Sequence, residues 1–163
     1  SLGNDVSDGY CYVLFTTSKF DLKSGVRETS QKGQRFVGAV LLHKDSGREV
    51  FVASTHLPAN GSAPIKPITN IIGKLTMPVI IGGDFNVTHN PFASLQNLSG
   101  SEPTFYNDET YKLDWIVGAK VQYVRHFVME EPRMTKIRNA SGGRWPNALE
   151  GSDHTAVSVH VTM

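Results

Sequence analysis

Short apolar runs, separated by polar segments that carry glycine and proline, dominate the chain and predict a fold built mainly from strands. Tyr10 to Phe15 is mostly apolar and closes on Thr16-Thr17-Ser18, the pattern of a buried strand ending in a turn. Phe36 to Leu42 and Glu49 to Ser54 flank the polar stretch His43-Lys44-Asp45-Ser46-Gly47-Arg48 and predict a hairpin. Pro64 to Leu75 sets Ile65, Ile68, Ile71 or Ile72, and Leu75 at helical spacing, so a short helix is expected there even with Gly73 inside it. Pro78-Val79-Ile80-Ile81-Gly82 is too short for a helix and rich in β-branched residues, which makes it a buried strand. Asn90 as cap and Pro91 at a first helical position predict a second short helix that runs out by Gly100. Leu113 to Val117 and Val121 to Val128 predict another strand pair turning at Gly118-Ala119-Lys120, and Thr155 to Val161 alternates as a final strand. Between them, residues 130–151 dissolve into Pro, Arg, Lys, Asn and Gly, and a loop of that length between strands is more often functional than idle.

The polar residues just past the strand ends carry the candidate chemistry. Gly83-Asp84-Phe85-Asn86 follows the apolar run at 78–82, and on a still-extended chain Asp84 and Asn86 share one side while Phe85 turns back to the core. Asp84 is suited to align or deprotonate a water, and the Asn86 amide to donate to a phosphate oxygen; the plain alternative is a turn. Ser152-Asp153-His154 precedes the last strand, with a carboxylate for a hard, oxygen-preferring cation beside an imidazole able to donate or release a proton. Asp114 is the one acid in Leu113-Asp114-Trp115-Ile116-Val117, and is either the carboxylate that fixes His154 or a solvated strand-edge residue. His56, at the end of Ser54-Thr55-His56-Leu57, is either structural or a phosphate contact. Arg133, Lys136, Arg138 and Arg144 form a basic cluster in the long loop, read as solvated charge or as contacts to a phosphate backbone. Phe105, Tyr106 and Tyr111 either stack on a base or pack beneath the loop.

Composition narrows the setting. At 163 residues the chain is one domain, 1–163, large enough to bury a core without metal or disulfide staples. Apolar residues make up 39% and charged residues 19%, with no stretch long and apolar enough for a membrane helix. Cys11 has no internal partner and the first residues lack the order of a signal peptide, so an intracellular, reducing location is expected. A net charge of +1 argues against a broadly basic nucleic-acid surface and leaves room for a local basic channel.

Taken in order, Ser54-Thr55-His56-Leu57, Gly83-Asp84-Phe85-Asn86, Leu113-Asp114-Trp115-Ile116 and Ser152-Asp153-His154 resemble the signature set of the endonuclease/exonuclease/phosphatase superfamily. Ser7-Asp8-Gly9-Tyr10-Cys11 followed by Ser18-Lys19-Phe20-Asp21-Leu22 is similar to a segment of its deadenylase and nocturnin branch. The resemblance implies an α+β fold, a four-layer α/β/β/α sandwich of two packed β-sheets, here without the N-terminal strands. It implies Mg²⁺ or Mn²⁺ as cofactor, Asp153 and Asp84 toward the metal, Asp84 on the attacking water, and Asn86 on the scissile phosphate. Asp114 would then orient His154, and His154 with His56 would contact the phosphate. Family members carry a metal-binding Glu upstream of the segment resembling Asp8-Gly9, and no residue of this sequence takes its place. The implied function is a metal-dependent phosphodiesterase acting on nucleic acid, RNA slightly preferred, with a second polypeptide as a candidate donor of the missing strands. The alternatives are a catalytically silent binding module of the same fold or a phosphoesterase for lipid or inositol phosphates.

Overall fold

The computed structural model describes residues 6–7, 11–29, 35–59, 65–105, 111–128, 154 and 157–163. Along the chain run β1 (Val6–Ser7), β2 (Tyr12–Val13), β3 (Phe20–Thr29), β4 (Arg35–His43) and β5 (Glu49–His56). The helix α1 (Lys66–Ile72), β6 (Val79–Asp84), β7 (Gln96–Asn97), β8 (Asp114–Ala119), β9 (Gln122–Val128) and β10 (Val157–Thr162) follow. A six-stranded sheet in the order β3-β4-β5-β6-β8-β7 forms the body, and β1-β2 and β9-β10 make two short two-stranded sheets. Among the described residues no helix is long and apolar enough to cross a membrane.

The period-2 pattern of the strands decides which side chain meets which layer. Phe36 on β4, Phe51 and Ala53 on β5, Val79 and Ile81 on β6, and Trp115 and Val117 on β8 join Ile68 and Ile72 of α1 in one buried cluster. Val37, Ala39 and Leu41 on β4 and Val50 on β5 point the other way and pack with Cys11, Val13 and Phe15 around β2. The β1–β2 piece therefore lies on the face opposite the helix, and the described residues form a truncated version of the expected sandwich, with one helix layer in place of two. Each fully buried Phe or Ile contributes roughly 1.5–3 kcal/mol of transfer free energy, so the two clusters dominate the stability.

Helix α1 owes its existence to this packing. It spans 7 residues, has no side-chain bond at its N-cap Ile65, carries a proline in its first turn and ends at Gly73. A helix so short does not hold in water on its own. Ile68 and Ile72, one turn apart, are its buried pair. Its position between β5 and β6 provides the crossover that parallel strands need.

Two sequence expectations are corrected. The segment at 90–95 forms a turn: Asn90 Oδ1 accepts from the Phe92 amide at 2.9 Å and Asn90 Nδ2 donates to the Leu95 carbonyl at 2.8 Å. An asparagine that closes both ends of a six-residue loop leaves no donor pattern for a helix to continue. Strands β8 and β9 do not pair with each other; β8 lies between β6 and β7, while β9 pairs with β10. Lys120 adopts a φ of 57°, and this left-handed residue redirects the chain from the large sheet toward β10.

Candidate functional site

Parallel pairing of β5 with β6 brings their C-terminal ends together, and antiparallel pairing of β6 with β8 adds the start of β8 at the same end. The register then reads as a row: Arg35 opposite His56, His56 opposite Asp84, and Asp84 opposite Asp114. By parity all four belong to the face that carries Val37, Val50 and Ile80, turned toward the second sheet. Residue 154, just ahead of β10, brings an imidazole onto that row.

Asp84 sits at the centre. His56 Nε2 lies 3.7 Å and His154 Nε2 3.8 Å from its Oδ2. His154 Nδ1 donates to Asp114 Oδ2 at 2.7 Å; a carboxylate only accepts, so the proton resides on Nδ1 and Nε2 is directed at Asp84. The side chains of Asp84, Asp114 and His154 are each about a fifth exposed, at 21%, 18% and 22%, whereas His56 at 56% stands at the rim. Burial raises the Asp84 carboxyl above its ordinary range, against the partial offset of the Asn86 amide and the nearby imidazoles. Asp84, Asp114 and His154 offer ligand atoms within 4.8 Å of one another. Such a donor set, with two hard carboxylates and an electrostatic cost at its centre, fits a small divalent cation.

Local sequence explains how Asp84 is held. Gly83 has a φ of 142°, and a Cβ there would lie 1.9 Å from the Thr55 carbonyl oxygen, so only glycine lets β6 close on β5 beside the acid. Asn86 occupies the left-handed region at φ 50°, a conformation asparagine tolerates. Its backbone N–H donates to Asp84 Oδ1 at 2.8 Å, and its side-chain Nδ2 donates to Asp84 Oδ2 at 3.0 Å and to the Leu57 carbonyl at 2.7 Å. Both amide protons of Asn86 are thus spent on Asp84 and Leu57, and donation to a phosphate would release one of them. Phe85 turns inward, fully buried against Phe92 and Trp115. Trp115 Nε1 in turn donates to the Val87 carbonyl at 3.0 Å and pins the segment after Asn86.

Of the residues singled out in the sequence, His56, Asp84, Asn86, Asp114 and His154 converge. Asp153, Arg133, Lys136, Arg138 and Arg144 lie outside the described residues, as does Tyr106. Phe105 packs on the site itself, its ring centroid 5.2 Å from that of His154. Arg35 escaped sequence reasoning. It opens an apolar strand after a glycine-bearing polar stretch, and only the register shows a half-buried arginine opposite His56, two strands from Asp84.

No family model and no curated protein matches the chain. Solved structures do. The mannosyl-6-phosphatase Bt3783 of Bacteroides thetaiotaomicron superposes with a TM-score of 0.66 at 17% identity over 93% of this chain and 70% of that one. The human nocturnin catalytic domain with bound sulfate gives 0.61 at 19% identity, over 92% of this chain and 64% of that one. D. rerio TDP2 complexed with a single-strand DNA product gives 0.66 at 13% identity, over 98% and 76%. Other matching structures are described as endonuclease/exonuclease/phosphatase proteins. The chain has the fold of that superfamily and spans from 64% to 76% of the length of the three relatives compared.

Proposed function

We propose that this chain is a divalent-metal-dependent phosphodiesterase domain that hydrolyses nucleic-acid phosphodiester bonds, RNA slightly preferred. The observation that carries the proposal is the cross-strand row: a part-buried carboxylate flanked by two imidazoles, one of them hydrogen-bonded to a second carboxylate. Hydrolysis of a phosphodiester needs an aligned water, compensation of developing negative charge, and donors on the non-bridging oxygens. Asp84, aimed by Asn86, is the acceptor that orients the attacking water and takes its proton; burial and the raised proton affinity suit it to that task. His154, oriented by Asp114, and His56 at the rim would contact the phosphate oxygens, and Arg35 stands opposite His56 at the end of the row. Asp84 and Asp153 would hold Mg²⁺ or Mn²⁺, which when bound offsets charge on the phosphate. Arg133, Lys136, Arg138 and Arg144 are proposed contacts to the nucleic-acid backbone.

The likeness to a mannosyl-6-phosphatase supports a second reading, a small phosphoester as substrate. One experiment separates them. Purified protein with Mg²⁺ or Mn²⁺ is offered end-labelled single-stranded RNA and DNA, sugar phosphates and inositol phosphates. Cleavage of the oligonucleotides that disappears in Asp84→Ala is the expected result. Release of phosphate from the small esters alone selects the second reading. Activity that survives Asp84→Ala refutes the role of Asp84, and silence on every substrate favours a binding module.

A further inference from the structure

We infer that Thr104 and Phe105 are positioning residues for the Asp114–His154 pair, each holding one member of it. Strand β7 covers β8 only at Val117 and Gly118. Nearer the site, side-chain hydroxyls do what a neighbouring strand's carbonyls would do. Thr104 Oγ1 accepts from the backbone N–H of Leu113 at 3.0 Å and of Asp114 at 2.9 Å. Ser99 Oγ accepts from the N–H of Ile116 at 2.9 Å. Both residues have no exposed surface, so an N–H deprived of its hydroxyl partner there would find no water to replace it.

The next residue reaches the other half of the pair. Phe105 forms an antiparallel bridge with His154, and its ring lies 5.2 Å from the imidazole, tilted by 56°. The backbone N–H groups of Thr104 and Phe105 both donate to the Tyr111 carbonyl, at 3.0 Å and 3.2 Å, which fixes the dipeptide against the start of β8. Lys112, buried and lying over the Trp115 ring at 4.9 Å, donates to the Ser99 carbonyl at 3.1 Å and closes the same segment from behind. A 2.7 Å bond between Asp114 and His154 thus depends on one hydroxyl under the acid and one ring against the imidazole. Geometry of this kind is sensitive, because displacement of a reacting group by about 1 Å costs on the order of 100-fold in rate.

The inference rests on the proposed phosphodiesterase reading for its kinetic arm and on the metal-free protein for its other arm. Thr104→Val keeps the shape and removes the acceptor, Thr104→Ser keeps the acceptor, and Phe105→Leu keeps an apolar side chain without the ring. Thr104→Val is expected to lower kcat by roughly 10- to 100-fold with KM changed by less than about 3-fold, and Thr104→Ser to recover most of that loss. In ¹⁵N NMR of the metal-free protein at one pH, wild type and Thr104→Ser should show the His154 proton on Nδ1. Thr104→Val and Phe105→Leu should show exchange between the two tautomers. A folded Thr104→Val with unchanged kcat and an unchanged His154 signal overturns the inference, as does a Thr104→Ser variant no better than Val. Should Thr104→Val fail to fold, Phe105→Leu decides: an unmoved imidazole signal overturns the proposal, a mixed one sustains it. Inactivity of wild type on every phosphoester defeats the enzymatic reading alone, because the imidazole signals still test the positioning.

Discussion

At the scale of single residues, Asp84 bears opposite demands of folding and chemistry. Its carboxyl is raised by burial, so the folded chain binds that proton more tightly than the unfolded chain does, and stability from this group is gained as pH falls through the raised value. At neutral pH the native state instead carries an ionised, poorly solvated acid. Asp84→Asn is therefore expected to abolish hydrolysis while raising the unfolding midpoint of the cation-free protein at pH 7 to 8. The gain should shrink as the pH is lowered and the wild-type acid takes up its proton. Thermal unfolding followed by circular dichroism checks this, and a midpoint that falls instead would mean that the two Asn86 bonds to the carboxylate outweigh its desolvation.

Asn86 makes a different argument, because its backbone and its amide can be tested apart. Asn86→Ala loses three side-chain or strained-backbone benefits together: the bond to Leu57, the bond to Asp84, and tolerance of φ 50°. The expected cost is about 1–3 kcal/mol. Asn86→Gly relieves the backbone part alone. Urea titration should rank glycine as the more stable of the two, while both variants lose activity because the Nδ2 bond to Asp84 is gone.

At the scale of elements, what could be read from the sequence follows from where the apolar residues stand. Strands β4 and β5 bury side chains on both faces, β6 buries Val79 and Ile81 on one, and all three announce themselves as largely apolar runs. Strand β3 has no such run. It is the edge of the large sheet, and between Asp21 and Arg27 only Val26 is even half-buried, so Phe20–Thr29 carries no apolar strand signal although it is the longest strand among the described residues. Lys23 and Arg27 on that edge are the charges that discourage pairing with another sheet. His56, Asp84 and Asn86 stood out because each is a polar residue at or just past the end of an apolar strand, and Asp114 because it is the one acid in an apolar run. Arg35 and Thr104 did not, since an arginine after a polar stretch and a threonine in a loop acquire meaning only from partners far along the chain.

The loop ahead of β8 is also tied to β9, through groups that titrate. His126 Nε2 meets Glu102 Oε1 at 3.0 Å and Tyr123 Oη meets His126 Nδ1 at 2.6 Å. The bond from His126 holds the Glu102 carboxyl below its ordinary 4.5. A depressed acid stabilises the fold above its unfolded value, and that contribution is lost as pH falls through the lowered one. Glu102 is half exposed, at 51%, so solvent keeps the contribution small. Wild type and Glu102→Gln are expected to differ slightly in urea midpoint at pH 6 and to converge below pH 4, and a constant difference across that range would deny the ion pair any role.

At the scale of the whole molecule, the site is a seam. Its carboxylates at positions 84 and 114 come from the large sheet and His154 from the approach to β10, so occupation of the seam is coupled to the integrity of both layers. A ligand that binds only the folded state stabilises it by RT ln(1 + [L]/Kd), about 2.7 kcal/mol at a hundredfold excess over Kd. Mn²⁺ is therefore expected to raise the unfolding midpoint of the wild-type chain, and the rise carries a signature of where it binds. Coordination at Asp84 requires the ionised carboxylate, whose proton is held more tightly than usual by burial. Protons and the cation then compete, and the Mn²⁺-induced rise must diminish as pH falls toward the raised value, the reverse of what surface screening by salt would give. Asp84→Asn should remove most of the rise at every pH, whereas His56→Ala, at the rim, should leave most of it. A rise that is equal in Asp84→Asn and wild type, or that does not depend on pH, would place the cation elsewhere on the protein and detach the carboxylate row from metal chemistry.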